Sequence, residues 1–315
     1  MLRLSIPTDL PAEFGETVVT IGNFDGVHRG HAILLDVVLQ EVRSRSVRSI
    51  AVVFEPHPLR VLHPEKAPAL ISSLAGRLEL LDSAGLDAVL IMEFTRKLAA
   101  MTPEEFVRQV FVEALHATCV VVGNDTRFGV KNSGNVDTLR ELGVKYHFVV
   151  RVLADVGEGR RFSSSDVRRA LAEGDVTVAA EILGRPHEVR GDIVRGLQRG
   201  RDLGFPTVNL GRNTEGLVPA DGVYAGWLIR ESRSSSDPEY RMPAAISVGT
   251  NPTFDDVSAR TVEAYVLDRY DLDLYDETVR VQFDQRLRGN AKFDSIDALV
   301  IQICQDVDAA RELLR

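Results

Sequence analysis

Cysteine is nearly missing from this chain: Cys119 and Cys304 are the two in 315 residues, far apart and each inside an apolar segment, which excludes a disulfide framework. A basic excess is missing too. The net charge of −9 argues against a general nucleic-acid binder, although a local cluster of donors can still hold a small anion in an acidic protein. No apolar run is long enough to span a bilayer. The opening MLRLSIPTDLPAEFG lacks the apolar core of a signal peptide, so a cytoplasmic protein without a membrane partner is expected. Internal repeats are absent, and the motifs offer no Ser-His-Asp arrangement. What is present is a globular composition, 44% hydrophobic and 26% charged. The length suits roughly two domains.

Up to about residue 183, apolar runs at 17–22, 49–54, 88–94, 118–123 and 146–153 alternate with helical patterns. Consecutive apolar positions predict strands buried on both faces of a parallel sheet. Between them, 103–115 repeats Phe106, Val107, Val110, Phe111 and Ala114 at helical spacing. The alternation predicts an α/β doubly wound domain over 1–183. The pattern changes near LGRPHEVRG (183–191). Runs at 224–230, 244–249, 261–268 and 278–283, separated by turn-like stretches, predict a small antiparallel barrel or sandwich over 184–315. The stretch 231–239 reads as a mobile hairpin loop. A terminal helix follows, with Ile296, Leu299, Val300, Ile303, Val307 and Leu314 as one stripe and Asp294 or Ser295 as its cap.

IGNFDGVHRGH (21–31) places a glycine-bearing turn after the first strong strand, where backbone N–H groups and a helix N-terminus meet the ligand edge of such a sheet. If Arg29 or Gly30 opens the helix, His28 and His31 share its first turn, where two imidazoles can donate to phosphate oxygens. Capping and packing are the ordinary alternative for the pair. His57 in FEPHP follows the second strand, and its two prolines alone would explain a rigid turn there. VVGNDTRFG (121–129) brings Asn124, Asp125 and Arg127, and SSSDVRR brings Ser163, Ser164, Ser165 and Arg168, with helix capping as the plain reading of the serines. Segments that follow strands of one parallel sheet converge on one crevice. In VRGLQRGRDLGFPTVNL (194–210), Gly196, Gly200 and Gly204 leave amides open to phosphate, beside Arg199 and Arg201. An extended 206–209 would put Thr207 and Asn209 on one face, two neutral oxygens that suit Mg²⁺ or simply close a turn. In TVEAYVLD, alternation separates Val262, Ala264 and Val266 from Glu263 and Tyr265.

In order and spacing, IGNFDGVHRGH, FEPHP, VVGNDTRFG and SSSDVR resemble the nucleotidyltransferase half of the prokaryotic bifunctional riboflavin kinase/FMN adenylyltransferase family, the FAD synthetases. GRDLGFPTVNL, PADGVYAGW, AAISVGTNPTF, TVEAYVLD and KFDS resemble its kinase half, so the likeness spans about residues 16–314. The resemblance implies a Rossmann-like adenylyltransferase domain over 1–183 and a riboflavin kinase barrel over 184–315. It implies that His28 and His31 act on ATP phosphates, in a nucleotide site with Gly22, Phe24, Gly26, His57, Asp125, Arg161, Ser164, Ser165 and Arg168. For the kinase it implies Gly196, Arg199, Gly200 and Gly204 around the nucleotide, Thr207 and Asn209 on Mg²⁺–ATP, and Glu263 as base. The partners implied are ATP, riboflavin and FMN, with a homo-oligomer left open.

The two reactions differ in what they ask of a base. Riboflavin's 5′-hydroxyl is neutral and must lose a proton as it attacks. The FMN phosphate, with a second pKa near ~6, is already ionised and needs only positioning and positive donors. Four positions depart from the family pattern: Thr126 for an aromatic residue, Ser165 followed by Asp166, Val208 for alanine, and Asp276 for a glycine. Val208 projects away from the two oxygens, and aspartate tolerates a left-handed turn passably. The alternatives are a protein that is mainly a riboflavin kinase with an altered first half, and a non-catalytic flavin binder.

Overall fold

A computed structural model describes residues 1–154, 162–195, 200, 203–250, 260–272 and 274–315. They form two compact units, one of residues 1–68 and 73–163, the other of residues 69–72 and 164–315. Among the described residues no helix is long and apolar enough to cross a membrane.

The first unit is built on β1 (Leu2–Leu4), β2 (Thr17–Ile21), β3 (Arg48–Glu55), β4 (Ala88–Glu93), β5 (Ala117–Gly123) and β6 (Val149–Leu153). They pair in the order β1-β4-β3-β2-β5-β6, every pair parallel. The unbroken apolar runs follow from burial on both faces. Val19, Ile50, Val52, Leu90, Val120 and Val122 enter one core with Val110, Phe111, Leu139 and Leu142 of the covering helices. Their neighbours Val18, Ala51, Val53, Val89 and Val121 enter the other with Leu34, Leu35, Val38, Leu78 and Leu81.

Three local expectations change. β1, at three residues, is too short for a periodicity to show. The run expected at 146–153 begins only at Val149, because Tyr146 closes the helix Val136–Tyr146 and His147 turns left-handed at φ 64°. The stretch 103–115 is an α-turn, Pro103–Phe106, continued by a π-helix, Val107–Ala114, although Phe106, Val107, Val110 and Phe111 are buried together as their spacing suggested.

In the second unit β7 (His187–Val194), β8 (Val208–Leu210), β9 (Gly222–Arg230), β10 (Arg241–Thr250), β11 (Arg260–Val266) and β12 (Thr278–Arg288) close a barrel in the order β10-β11-β8-β7-β12-β9. Closure leaves no free edge, which settles barrel over sandwich. The helices Ser164–Glu173 and Val176–Leu183 belong to this unit, where the Ala220 N–H donates to the Leu171 carbonyl at 2.8 Å. The terminal helix Ile296–Leu313 is capped by Ser295, whose side chain accepts from the Ala298 N–H at 3.1 Å. Its contact is narrower than the expected stripe: Ile296 is 67% exposed, and Val307 and Ala310 pack on Ala225, Tyr265 and Leu267. Arg288 clamps the helix by gripping the buried Asp306 carboxylate at 2.7 and 2.9 Å. The 231–239 stretch is the β9–β10 hairpin loop, tied down by Arg230–Glu239 at 2.7 Å and Arg233–Asp237 at 3.4 Å. Asp276 takes the left-handed turn expected of it, at φ 64°.

Candidate functional site

In the first unit the strand order reverses between β2 and β5: the chain runs outward through β3 and β4 on one side, then returns to β5 on the other. The segments leaving β3, β2 and β5 therefore emerge side by side at the carboxyl edge, where open α/β sheets bind ligands. The turn after β2 is tightly wound. The Gly22 N–H donates to the Val52 carbonyl at 3.1 Å, and Phe24, Gly26 and Val27 all take positive φ, at 49°, 79° and 38°. For Val27, which is β-branched, this is real strain of the kind found at binding turns. Asp25 and His28 are carried inward and buried.

His28 caps the helix Arg29–Arg45: its Nδ1 accepts from the His31 N–H at 3.4 Å, so in the neutral ring the proton sits on Nε2. Capping, the plain reading of the pair, is thus real for His28. The two rings stack with centroids 3.7 Å apart and 19° between planes. Burial, with His28 alongside, holds the His31 pKa well below the ordinary histidine value, so His31 is neutral near pH 7. It can therefore meet a phosphate as a neutral donor. Its Nδ1 is buried without a hydrogen-bond partner, a costly state that an anionic oxygen would relieve. Gly30 makes the stack possible. A Cβ there would lie 3.1 Å from His28 Cε1 and Nδ1 and 3.3 Å from the Phe162 carbonyl.

After β3, His57 Nδ1 accepts from the Leu59 N–H at 3.2 Å and caps the helix Pro58–Leu62. Its proton is therefore on Nε2, which lies 3.2 Å from Asn23 Nδ2; turning that side-chain amide over brings its oxygen to the ring as acceptor. This contact joins the turn after β2 to the turn after β3. Beneath it lies a residue that sequence reasoning missed. Arg77 is 1% exposed, donates from Nη1 to the Asn23 carbonyl at 3.0 Å, and pairs with Glu55. The available signal was a charged residue in the mostly apolar stretch LAGRLELL (74–81), next to the buried Leu78. Asp125, exposed, follows β5 in a turn closed by the Thr126 N–H on the Gly123 carbonyl at 3.2 Å.

Ser164, Ser165 and Arg168 open the helix Ser164–Glu173 and fall in the second unit. There Arg168 Nε donates to the Ala69 carbonyl at 2.8 Å, and Asp166 pairs with Arg169 at 2.5 Å. Arg161, Gly196, Arg199 and Arg201 lie outside the described residues.

In the barrel, register aligns Ser247 of β10, Glu263 of β11, Asn209 of β8 and Val194 of β7 in one row across four strands. Residues opposite each other in antiparallel strands share a face, with Cβ atoms about 5 Å apart. Val262, Ala264, Ile246 and Val248 point inward and are buried, so the row lies on the outer face. Val208 pairs with Ala264 and shares its inward face, as expected. Asn209 Nδ2 donates to the Thr207 carbonyl at 3.4 Å, which leaves Oδ1 for another partner. The preceding loop is held by Gly200, whose carbonyl accepts from the Leu203 N–H at 3.1 Å and the Phe205 N–H at 2.8 Å. A Cβ at 200 would stand 2.4 Å from the Phe205 carbonyl and 3.5 Å from Thr207 Oγ1, so glycine is obligatory there. Gly204 follows with φ +87°. The Phe205 ring meets Tyr265 edge-on with centroids 5.4 Å apart, which pins the Thr207 segment to β11 two residues from Glu263. No cluster of three or more His, Cys, Asp or Glu side chains among the described residues could hold a metal ion.

A strained, histidine-bearing turn at a sheet's switch point, in one chain with a barrel that pairs a glutamate with an asparagine on neighbouring strands beside a glycine loop, defines a two-site transferase acting on phosphates. A family model for FAD synthetase matches residues 10–167, and one for riboflavin kinase matches residues 183–314. The bifunctional riboflavin kinase/FMN adenylyltransferase of Escherichia coli K12 is 36% identical over 296 residues, covering 94% of this chain and 92% of that protein. Its namesake in Pseudomonas fluorescens is 36% identical over 306 residues, 97% and 95% of the two chains. A crystal structure described as a macrolide-efflux protein from Streptococcus pneumoniae superposes with TM-score 0.87 at 30% identity, covering 99% of each chain. The chain belongs to the bifunctional riboflavin kinase/FMN adenylyltransferase family. Membership implies the use of ATP.

Proposed function

We propose that this chain phosphorylates riboflavin to FMN with one ATP and adenylylates FMN to FAD with another, releasing pyrophosphate. The division of labour falls at 183/184, with the adenylyltransferase before it and the kinase after. The observation that carries the kinase reading is the pairing of Glu263 with Asn209. Glu263 takes the proton from the riboflavin 5′-hydroxyl as that oxygen attacks the γ-phosphorus and ADP leaves. Thr207 and Asn209 fit a hard cation that keeps waters and draws its negative ligands from phosphates, since they offer neutral oxygens beside a carboxylate that must stay available as base. They would hold Mg²⁺, which supplies charge neutralisation on the ATP phosphates. Gly200 and Gly204 keep the loop close to those phosphates, and Gly196 and Arg199 are proposed for the same nucleotide.

In the first unit the FMN phosphate oxygen bonds to the α-phosphorus as the α–β anhydride breaks. His28 Nε2–H and the unpartnered Nδ1 of His31 are the donors proposed for the phosphates. Gly22, Phe24, Gly26, His57 and Asp125 line the nucleotide. ATP as co-substrate favours the cytoplasm. No observation on this chain favours the efflux role named for one structural relative.

Incubating the protein with riboflavin, ATP and Mg²⁺ and separating the flavins by chromatography tests the reading. FAD is expected. FMN alone would mean an altered first half, and unchanged riboflavin a non-catalytic binder. Glu263→Gln lowers FMN formation by about 10²–10⁴-fold while sparing adenylylation of supplied FMN. Equal loss of both activities would refute separate sites.

A further inference from the structure

We propose that Arg77 is a positioning residue of the first unit's nucleotide site: its guanidinium bridges Glu55 and the Asn23 carbonyl, and so sets the His28/His31 turn and the His57 turn against each other. This inference rests on the adenylyltransferase reading above. Arg77 lies on the helix Leu74–Ser83, whose start is fixed by Ser73 accepting from the Gly76 N–H at 3.1 Å. Its hydrogen bonds go to the Asn23 carbonyl and to Glu55, so its effect on the histidines runs through those two residues.

Packing does not account for an arginine at this position. Burying a guanidinium is costly, and an apolar side chain of similar volume commonly does as well or better inside a protein. Here the cost is compounded, because the Nε–H is itself buried without a partner. What an apolar residue lacks is the planar fork, which reaches two acceptors on different segments at once. One acceptor, the Asn23 carbonyl, belongs to the turn in which Phe24 and Val27 hold strained backbone angles. The other, Glu55, ends β3 two residues before His57. The side chain of Asn23 then reaches His57 Nε2 at 3.2 Å. These contacts join Arg77 to Asn23 and Glu55 and Asn23 to His57, and the chain from Glu55 to His57 completes the circuit that ties the two histidine-bearing turns together.

A lysine keeps the charge but offers no fork. A methionine removes both and leaves Glu55 without its cation. Glu55→Gln together with Arg77→Met replaces the pair with neutral groups of similar size, which should restore stability without restoring the grip on Asn23. Three measurements are made on the full chain: ring ¹⁵N shifts of labelled histidine assigned to His57, thermal unfolding, and kcat and KM for FMN adenylylation. In the unmodified protein His57 should show a single tautomer with the proton on Nε2. In Arg77→Met, Arg77→Lys and the double variant its shifts should move toward averaging of the two tautomers. Adenylylation kcat should fall at least tenfold in all three, with KM for FMN within twofold. Unchanged His57 shifts would overturn the proposal, as would a double variant that regains rate along with stability. If the unmodified protein makes no FAD while its His57 shifts still respond to Arg77→Met, adenylyl transfer is refuted and the positioning role stands.

Discussion

Replacing Gly30 with alanine separates the site's geometry from the fold's stability. The added Cβ would press on His28 Cε1 and Nδ1 at 3.1 Å and on the Phe162 carbonyl at 3.3 Å, all tighter than an ordinary van der Waals contact. The backbone carbonyl has little freedom, so the His28 ring must yield. It is buried and stacked 3.7 Å from His31, and its Nδ1 caps the His31 N–H, so yielding sacrifices the cap. A lost cap costs about 0.5–2 kcal/mol. Alanine in place of glycine inside a helix contributes about 0.5–1 kcal/mol in the other direction. The two nearly cancel, so the unfolding midpoint should move by no more than a few degrees. The chemistry has no such offset. A misplacement near ~1 Å can cost about 10²-fold in rate, so a few tenths should lower FAD formation from FMN and ATP by roughly tenfold. FMN formation from riboflavin, assayed in the same preparation, is the internal control and should stay unchanged. An unaltered FAD rate would refute the placement of His28 at the phosphates, and parallel loss of both activities would refute the independence of the two units.

Two further outcomes are expected. The folded pKa of His31 lies below its unfolded value near 6.5, so the neutral ring's contribution is complete above that pH. It is lost as pH falls from about 6.5 toward the folded value, at about 1.4 kcal/mol per pH unit. Urea unfolding followed by circular dichroism at pH 7, 6 and 5 should show this slope, His31→Gln should flatten it, and equal slopes in both proteins would sink the assignment. Gly200→Ala drives a Cβ to 2.4 Å from the Phe205 carbonyl and must reshape the loop ahead of Thr207. Riboflavin phosphorylation should drop at least tenfold while adenylylation of supplied FMN holds, as read by flavin chromatography.

The parallel sheet was legible because burial on both faces writes itself as consecutive apolar residues in β2, β3, β4 and β5. The barrel was legible as turns and β-runs, and the placement of Glu263 away from Val262 and Ala264 followed from alternation alone. Its pairing with Asn209 did not, because register is a long-range property between strands distant in sequence. The π-helical turns of 107–114 left no mark, since the same residues face the core at α spacing. The charge state of His31 was not legible for a related reason: residue type leaves it open, and burial decides it. Arg77 stayed hidden because its partners lie on other elements.

The contact of β8 with β11 extends over two matched pairs, Glu263 with Asn209 and Ala264 with Val208. A strand turns alternate residues to opposite sides, so removing one residue ahead of Glu263 would swing its carboxylate into the apolar lumen beside Ile246 and Val248. Length variation on this scaffold is therefore unequal in its consequences. Additions of any size at 231–239 stay outside the barrel wall, whereas an odd-numbered insertion within β11 ahead of Glu263 trades a carboxylate for a hydrocarbon.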